Sequence, residues 1–530
     1  MTNMKQIRVL DVTLRDGGCV NDFNFGTTYM HQILAAQEMA GIDVIELGYI
    51  DADKGTESGR TQYSNEQVIK QAILQNKKPG VKYVAMIDYG KFPLDSLQLR
   101  TETSIDGIRL AFHKKHVPYL VEAGKTIIEK GYELYIQPMI TLRYTDTELL
   151  NLIHLVNDEL SNAAAFYIVD SFGEMRPNDM SRILYMVDNN LIPSMMMGFH
   201  SHNNLQMSYS NAATMLQFPT NRDLMLDSSI MGMGKGAGNL NTELLLEHLN
   251  LYYGGQYQIA PLLEVMDKVI NQLHSEFYWG YAPEYYLSSA NHCTPSYASH
   301  FYNKHMLPID QVGELLSMID EEKKISFDKE YAENLYRQYN ESKQVEDSTL
   351  LEAMSKSLNN KQVLLVAPGK SVLESKDIIL RKMAEENIVS FGLNMTQLPV
   401  KYVVATRKDV FDQAVSEACS VITTSAITKG IRGNVRILNY KSWIDVDEQT
   451  HDSSFVIIMN FLKACKVNRV FLAGLDGFSS NINDNYCEPI LRRPVTDQQA
   501  EQRNAYYKKF IATCRQQGVE VTFITPSKYE

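Results

Sequence analysis

Cysteine is scarce: six residues in 530, at positions 19, 293, 419, 465, 487 and 514, with no CxxC pair among them. That spacing excludes a disulfide framework and the paired-thiolate zinc motifs, and it points to a reducing compartment. Long apolar runs are missing too. No stretch approaches the roughly 18 apolar residues that a membrane span takes, and the start MTNMKQIRV passes straight into a strand-like run with no apolar signal core. Basic residues are in deficit, 51 Lys and Arg against 63 Asp and Glu for a net charge of −12, which disfavours a broad phosphate-tracking surface and nucleic acid as a partner. No GxGxxG occurs, and APGKS (367–371) is not a P-loop because Leu364 stands where the upstream glycine is required. These absences leave a soluble, untargeted, cytoplasmic protein as the expectation.

Histidine, by contrast, is unevenly distributed. Eleven of the twelve lie at or before His305, and only His451 follows, so any imidazole chemistry belongs to the first part of the chain. A prior of about 150 residues per domain makes two or three domains the expectation. The polar, charge-rich stretch 341–362 marks a boundary near 350–360, after which the strand-like run VLLVAPG begins. Before residue 275, eight runs read as strands: RVLDVT (8–13), DVIELGYI (43–50), VKYVAMID (81–88), IDGIRLAF (105–112), YELYIQPMI (132–140), AAFYIVD (164–170), SMMMGFH (194–200) and DLMLDSSI (223–230). Helical segments alternate with them. In 27–41, Tyr29, Met30, Ile33 and Leu34 fall at helical spacing and Gly41 supplies the stop. Eight such alternations over about 250 residues predict a (β/α)8 TIM barrel.

The barrel fold predicts where the chemistry lies, since active sites of such barrels gather at the carboxyl ends of the strands. The polar residues there are Arg15 and Asp16, Glu46, Asp88, Arg109 and His113, Gln137, Asp170 and Ser171, His200 and His202, and the glycine-rich segment that ends at Asn239. Residues i and i+2 of an extended segment share a side, so His200 and His202 can converge on one ion. Asp16 at another strand end would add a carboxylate, giving a common divalent-metal set with open positions. Lys235, among the glycines of GMGKGAGN, reads either as a phosphate cradle or as part of a tight turn that places Asn239.

With LDVTLRDGG (10–18), VDSFGEMRP (169–177), GFHSHNN (198–204) and GMGKGAGN (232–239), the chain resembles the DRE-TIM metallolyase superfamily. The likeness runs over roughly residues 5–325 and is nearest to the 4-hydroxy-2-oxovalerate aldolase branch, whose post-barrel helices 284–320 resemble. It implies Asp16, His200 and His202 as ligands of manganese or magnesium, with Asn239 joining the set. It implies Arg15 as the group that holds the substrate and stabilises its enolate, and Ser171 as a substrate contact, with Gln137 a further candidate. A metal and a guanidinium opposing charge on a keto oxygen suit carbon–carbon cleavage of a 2-keto acid independently of the name.

One departure matters. The oxovalerate aldolases carry a proton-transferring histidine three residues after the metal aspartate, and this chain has Cys19 there. The remaining candidates are Glu46, His113, His292 and the Tyr285/Tyr286 pair, which falls close to where the resemblance implies a pocket tyrosine, with Tyr286 taken as the candidate.

From 362 onward VLLVAP, NIVSFGL, VKYVVAT, SVITTS, VRILNY, RVFLAGLDGF and VEVTFITP alternate with helices, which predicts an open, mainly parallel Rossmann-like sheet. VAPGKSVLES and LAGLDGFS are similar to pterin-diphosphokinase-like and sialyltransferase-like domains, which implies a nucleotide or nucleotide-linked sugar, with Asp476 as a contact or as part of a turn. The expected organisation is a barrel over 1–275, a helical extension and linker over 276–355, and a Rossmann-like domain over 356–530. The expected activity is a metal-dependent aldolase joining or cleaving a 2-keto acid and an aldehyde, in carbohydrate or surface polysaccharide metabolism, in a possible homo-oligomer. The alternatives are a Claisen-type acyl-CoA condensing enzyme and a non-catalytic protein on a decayed barrel.

Overall fold

The computed structural model describes residues 5–530 apart from 55–56, 305, 429–433, 446–452, 488–490 and 492–496, so His305 and His451 lie outside the described residues. The chain divides into two units, Met1–Ala298 and Ser299–Glu530.

The first unit is built on eight parallel strands: β1 (Ile7–Asp11), β2 (Val44–Ile50), β3 (Lys82–Asp88), β4 (Gly107–Phe112), β5 (Glu133–Pro138), β6 (Ala165–Asp170), β7 (Met196–Ser201) and β8 (Leu224–Ser228). They pair in chain order, and β1 pairs with both β2 and β8, which closes the barrel. The predicted first helix spans Thr27–Ala40 and stops at Gly41, whose φ of 80° is left-handed backbone that glycine adopts without strain.

Both faces of each strand are buried, which is why the strands read as nearly continuous apolar runs. The two faces are nevertheless distinct. Leu10, Val12, Val44, Val84, Tyr135, Ala165, Tyr167, Val169, Met196 and Met225 form a cluster inside the barrel. The residues between them, such as Ile45, Tyr83, Ile108, Leu134, Phe166, Met197 and Leu226, belong to the larger core under the helices. With a side-chain period of two, Glu46, Asp88, Arg109, Gln137, His200 and Asp227 share the inward parity of those barrel residues. A register shift between Glu46 and Tyr49 in the β2–β3 pairing sets Tyr49 beside Met86 at the mouth end.

The second unit carries seven strands: β9 (Gln362–Val366), β10 (Ile388–Leu393), β11 (Tyr402–Val404), β12 (Val421–Thr424), β13 (Val435–Leu438), β14 (Arg469–Ala473) and β15 (Glu520–Phe523). All pairings are parallel in the order β13-β12-β11-β10-β9-β14-β15. This matches the expected open parallel sheet, with the strand order reversing at β9. The stretch read as extension and linker differs from expectation. It contains the helix Ser348–Leu358, whose Met354 and Leu358 are buried in the core of the second sheet, so its polar residues are the outer face of a packed element.

The helix Ser454–Ala464 of this unit buries Phe455, Val456, Ile457, Ile458, Met459, Phe461 and Leu462, so it is apolar nearly all round. Ile458→Ala is expected to destabilise the second unit by about 2–5 kcal/mol, read as a lower urea midpoint for its transition. Ile378→Ala, at an exposed position, should stay within about 0.5 kcal/mol of the parent.

Candidate metal centre and active site

The site rests on an ionic layer inside the barrel. Arg109 on β4 is fully buried, donating from Nη1 to Glu46 Oε2 at 2.8 Å and from Nη2 to Asp227 Oδ2. Its guanidinium carbon lies 4.9 Å from the centre of the Tyr167 ring. With its amide oxygen assigned toward Arg109, Gln137 accepts from Nε at 3.3 Å and Nη2 at 3.1 Å. Glu46, Arg109, Tyr167 and Asp227 come from β2, β4, β6 and β8, the alternate strands whose side chains share a layer in such barrels. Isolated charges there would be prohibitive, so each has a partner of opposite sign.

The layer passes its order upward through two contacts. Glu46 Oε2 also accepts from Arg15 Nε at 2.7 Å, and Asp227 Oδ2 lies 2.9 Å from His200 Nδ1. The second contact leaves His200 Nε2 for a ligand. Burial works against the Asp227 carboxylate, but Arg109 and His200 overcome it and hold its pKa below the ordinary range.

Above this layer Asp16, His200 and His202 each offer a ligand atom, all within 4.8 Å of one another, and all three residues are buried. Asp16 Oδ1 accepts from Arg15 Nη1 at 3.0 Å, while Oδ2 makes no hydrogen bond and lies 3.7 Å from His202 Nε2. Burial opposes the charge on Asp16, but His202, Arg15 and His200 hold its pKa well below the usual carboxylate range. Burial lowers the His202 pKa to about 4 despite Asp16, so its ring is neutral at pH 7 with a lone pair to give.

Asn239 is carried beside His202 by an antiparallel backbone bridge. Its Nδ2 donates to the Met233 carbonyl at 3.1 Å, and its buried Oδ1 has no partner among the described residues. The glycine segment makes this approach possible. A Cβ on Gly234 would stand 2.2 Å from Asn239 Nδ2 and 3.0 Å from Asp16 Oδ2. The segment is pinned by Asn204, which accepts from the Ala237 amide at 2.9 Å and donates to the Phe172 carbonyl at 2.9 Å. Lys235 turns to Thr294 Oγ1, 3.3 Å away. The glycines therefore act in a turn that sets Asn239.

These residues fit a divalent cation. Asp16 Oδ2, His202 Nδ1 and Asn239 Oδ1 are buried without hydrogen bonds, and Arg15 and Arg109 against Asp16, Glu46 and Asp227 leave a surplus of one negative charge.

The other predicted residues are scattered. Glu46 is held between two guanidiniums. Ser171 Oγ accepts from the Ile140 amide at 3.0 Å, bracing a turn in which Ile140 has φ 55°. His113 precedes the short helix Lys114–Tyr119, its pKa lowered by burial and by His116 and Lys115. His292 Nδ1 pairs with Glu174 Oε2 at 2.6 Å. Tyr286, on the helix Pro283–Ala290, is 48% exposed and is not brought to the cluster. Solvent reaches Cys19, whose Sγ lies 3.8 Å from Asp16 Oδ1. The surrounding protein and the Asp16 charge push its thiol up to about 12, so it stays protonated. In the second unit, Asp476 accepts from the Ser371 amide at 2.7 Å and from its hydroxyl at 2.5 Å, closing the turn after β9. Sequence reasoning passed over Asp227; its one signal is an acid at inward parity in the apolar run DLMLDSSI.

Comparison with known proteins bears on the same segment. The family model described as HMGL-like matches residues 6–253. Residues 6–253 are an HMGL-like domain. Within the same half of the chain, the 4-hydroxy-2-oxovalerate aldolase of Pelotomaculum thermopropionicum is 28% identical over 271 residues, covering 50% of this chain and 76% of that protein. The 4-hydroxy-2-oxovalerate aldolase of Pseudoalteromonas translucida is 26% identical over 292 residues, covering 53% of this chain and 83% of that one. Among solved structures, the HMG-CoA lyase from Brucella melitensis aligns with a TM-score of 0.41 at 13% identity, over 51% of this chain and 99% of that one. On the family match and the aldolase relatives, the HMGL-like domain is that of a metal-dependent aldolase or lyase. Among the described residues, no helix is long and apolar enough to cross a membrane.

The Asp227–His200 contact gives a prediction for the HMGL-like domain. Asp227→Asn is expected to weaken divalent-metal binding by about 10- to 100-fold, measured by calorimetric titration with manganese. An unchanged affinity would mean that Asp227 does not orient a ligand.

Proposed function

We propose that the barrel is a manganese- or magnesium-dependent carbon–carbon lyase that works through the enolate of pyruvate, cleaving or forming a 4-hydroxy-2-keto acid with an aldehyde as the second partner. The observation that carries the reading is the position of Arg15. Its Nε and Nη1 are taken by Glu46 and Asp16, and its Nη2 is buried with no acceptor, as Asp16 Oδ2 and Asn239 Oδ1 are buried with no donor. Asp16, His200, His202 and Asn239 would hold the metal. When bound, it supplies Lewis-acid polarisation of a chelated 2-keto carboxylate.

The chain's own residues account for the rest. Cleavage of the C3–C4 bond delivers an electron pair toward the C2 carbonyl, and negative charge grows on the keto oxygen. The free Nη2 of Arg15 is a fixed donor for that oxygen, charged at any working pH. Glu46 and Asp16 hold the guanidinium in place, so it needs little reorganisation as the charge appears. Relatives named 4-hydroxy-2-oxovalerate aldolases support the reaction class.

The test is exchange of the pyruvate methyl hydrogens in heavy water, followed by proton NMR. Manganese-loaded protein is expected to exchange them well above buffer, with the rate lost on adding a chelator and in Asp16→Asn. Exchange no faster than buffer would reject the enolate reading. A panel of short aliphatic and sugar aldehydes, scored for condensation with pyruvate, then identifies the partner and tests the carbohydrate setting.

For the second unit, the strand-order reversal between β9 and β14 supports a nucleotide or nucleotide-linked sugar as ligand, because such sheets take ligands in the crevice at that point. A ligand present at 100 times its dissociation constant stabilises by about 2.7 kcal/mol. A thermal-shift screen of nucleotides should therefore reveal one, and no shift with any of them would reject the assignment.

A further inference from the structure

The proposed reaction needs a group that moves a proton at the substrate, and the position where the resemblance implies a histidine holds Cys19. We infer that Asp88, the last residue of β3, is the catalytic base and acid of the barrel. This rests on the pyruvate-enolate reading above and completes it.

Position comes first. β3 is regular from Val84 to Asp88 against β4, where Val84 faces Gly107 and Asp88 faces Ala111. Val84 lies in the cluster inside the barrel, while Tyr83, Ala85 and Ile87 belong to the core under the helices. Asp88, four residues past Val84, therefore points to the barrel axis at the carboxyl end, where the metal-ligand set also lies.

Availability comes second. Among the described residues neither oxygen of Asp88 has a hydrogen bond or an ion pair, and Oδ1 is buried. The neighbouring candidates are committed. Glu46 is shared by Arg15 and Arg109, and His292 is paired with Glu174. The charged and titratable groups acting on Asp88, or acted on by it, are Arg15 from the β1 turn, Asp51 and Tyr49 from β2 and its exit, Lys91 just after β3, Lys235 from the glycine segment, and Cys19. Burial outweighs Arg15, Lys91 and Lys235 and raises its carboxyl to about 6, close to where a general base works best. The base form is present above that pH and is lost below it.

The proton balance closes with this one residue. In the cleavage direction the Asp88 carboxylate takes the proton of the C4 hydroxyl. The C4–O bond becomes the aldehyde carbonyl as the C3–C4 pair moves into the enolate, whose oxygen faces Arg15. The Asp88 carboxylic acid then returns that proton to C3, giving pyruvate and regenerating the carboxylate. Methyl exchange is the second half run backwards and forwards.

The experiment compares parent, Asp88→Asn and Asp16→Asn, each measured for manganese content and for pyruvate methyl exchange between pH 5 and 8. The parent rate is expected to rise with pH through about 6. Asp88→Asn should bind manganese like the parent yet exchange at least ~100-fold more slowly, and its residual rate should lack that limb. Asp16→Asn should lose metal and exchange together. Exchange by Asp88→Asn within about threefold of a working parent would overturn the role of Asp88 and leave the enolate reading standing. A flat parent profile over this range would overturn it without any variant. A metal-loaded parent that does not exchange at all overturns the enolate reading and this inference with it.

Discussion

The buried guanidinium of Arg109 is the constraint on which the rest of the site depends. It lies where a barrel normally packs branched aliphatic side chains, between Glu46 and Asp227 on strands that are not neighbours in the sheet. Desolvating an arginine costs several kcal/mol before any pairing offsets it, so the interior accommodates Arg109 only with both carboxylates held in place. Those carboxylates do a second task. Glu46 Oε2 fixes Arg15 and Asp227 Oδ2 fixes His200, so one ion in the middle of the barrel sets the direction of both a guanidinium and an imidazole of the candidate site.

The chemistry of the mouth follows from how that layer is satisfied. Its two cations fall one charge short of the three carboxylates around them, and the imidazole of His202 contributes none because burial keeps it neutral. Among the buried atoms left without a hydrogen bond are Asp16 Oδ2, His202 Nδ1 and Asn239 Oδ1, from residues that meet at the strand ends. Buried unpaired acceptors are costly, and a dication held by these residues would answer that cost. The glycine segment contributes by absence, since a side chain at Gly234 would occupy the space in which Asn239 and Asp16 approach each other.

Much of this architecture was legible in the chain itself. Strands buried on both faces spell continuous apolar runs, and all eight barrel strands overlap such runs. His200 and His202 declare themselves by their spacing, and Asp16 by its place after the first strand. Arg109 was visible as a strand-end residue, but its pairing with Asp227 was opaque because the partner lies 118 residues away, and no local pattern reports which acid an inward arginine meets. The boundary near 350–360 misled for a related reason. A polar stretch can be a linker or the solvent face of a helix, and only the burial of Met354 and Leu358 against a sheet formed later in the chain distinguishes the two.

Cys19 and Asp88 illustrate why a barrel tolerates exchange of one functional group but not another. Metal ligands must meet at a single point with fixed distances, so the candidate set Asp16, His200 and His202 has few substitutes elsewhere in the fold. A proton carrier has only to reach a bound substrate from some side of the mouth, and eight strand ends surround that mouth. When the β1 turn carries a thiol that keeps its proton, a carboxylate on β3 can enter the same cavity from a different direction. Its raised pKa comes from the same burial that leaves it without a partner. The absence of an ion pair at Asp88 is then the condition for its proposed use, since a carboxylate held between two guanidiniums, as Glu46 is, is already committed to them.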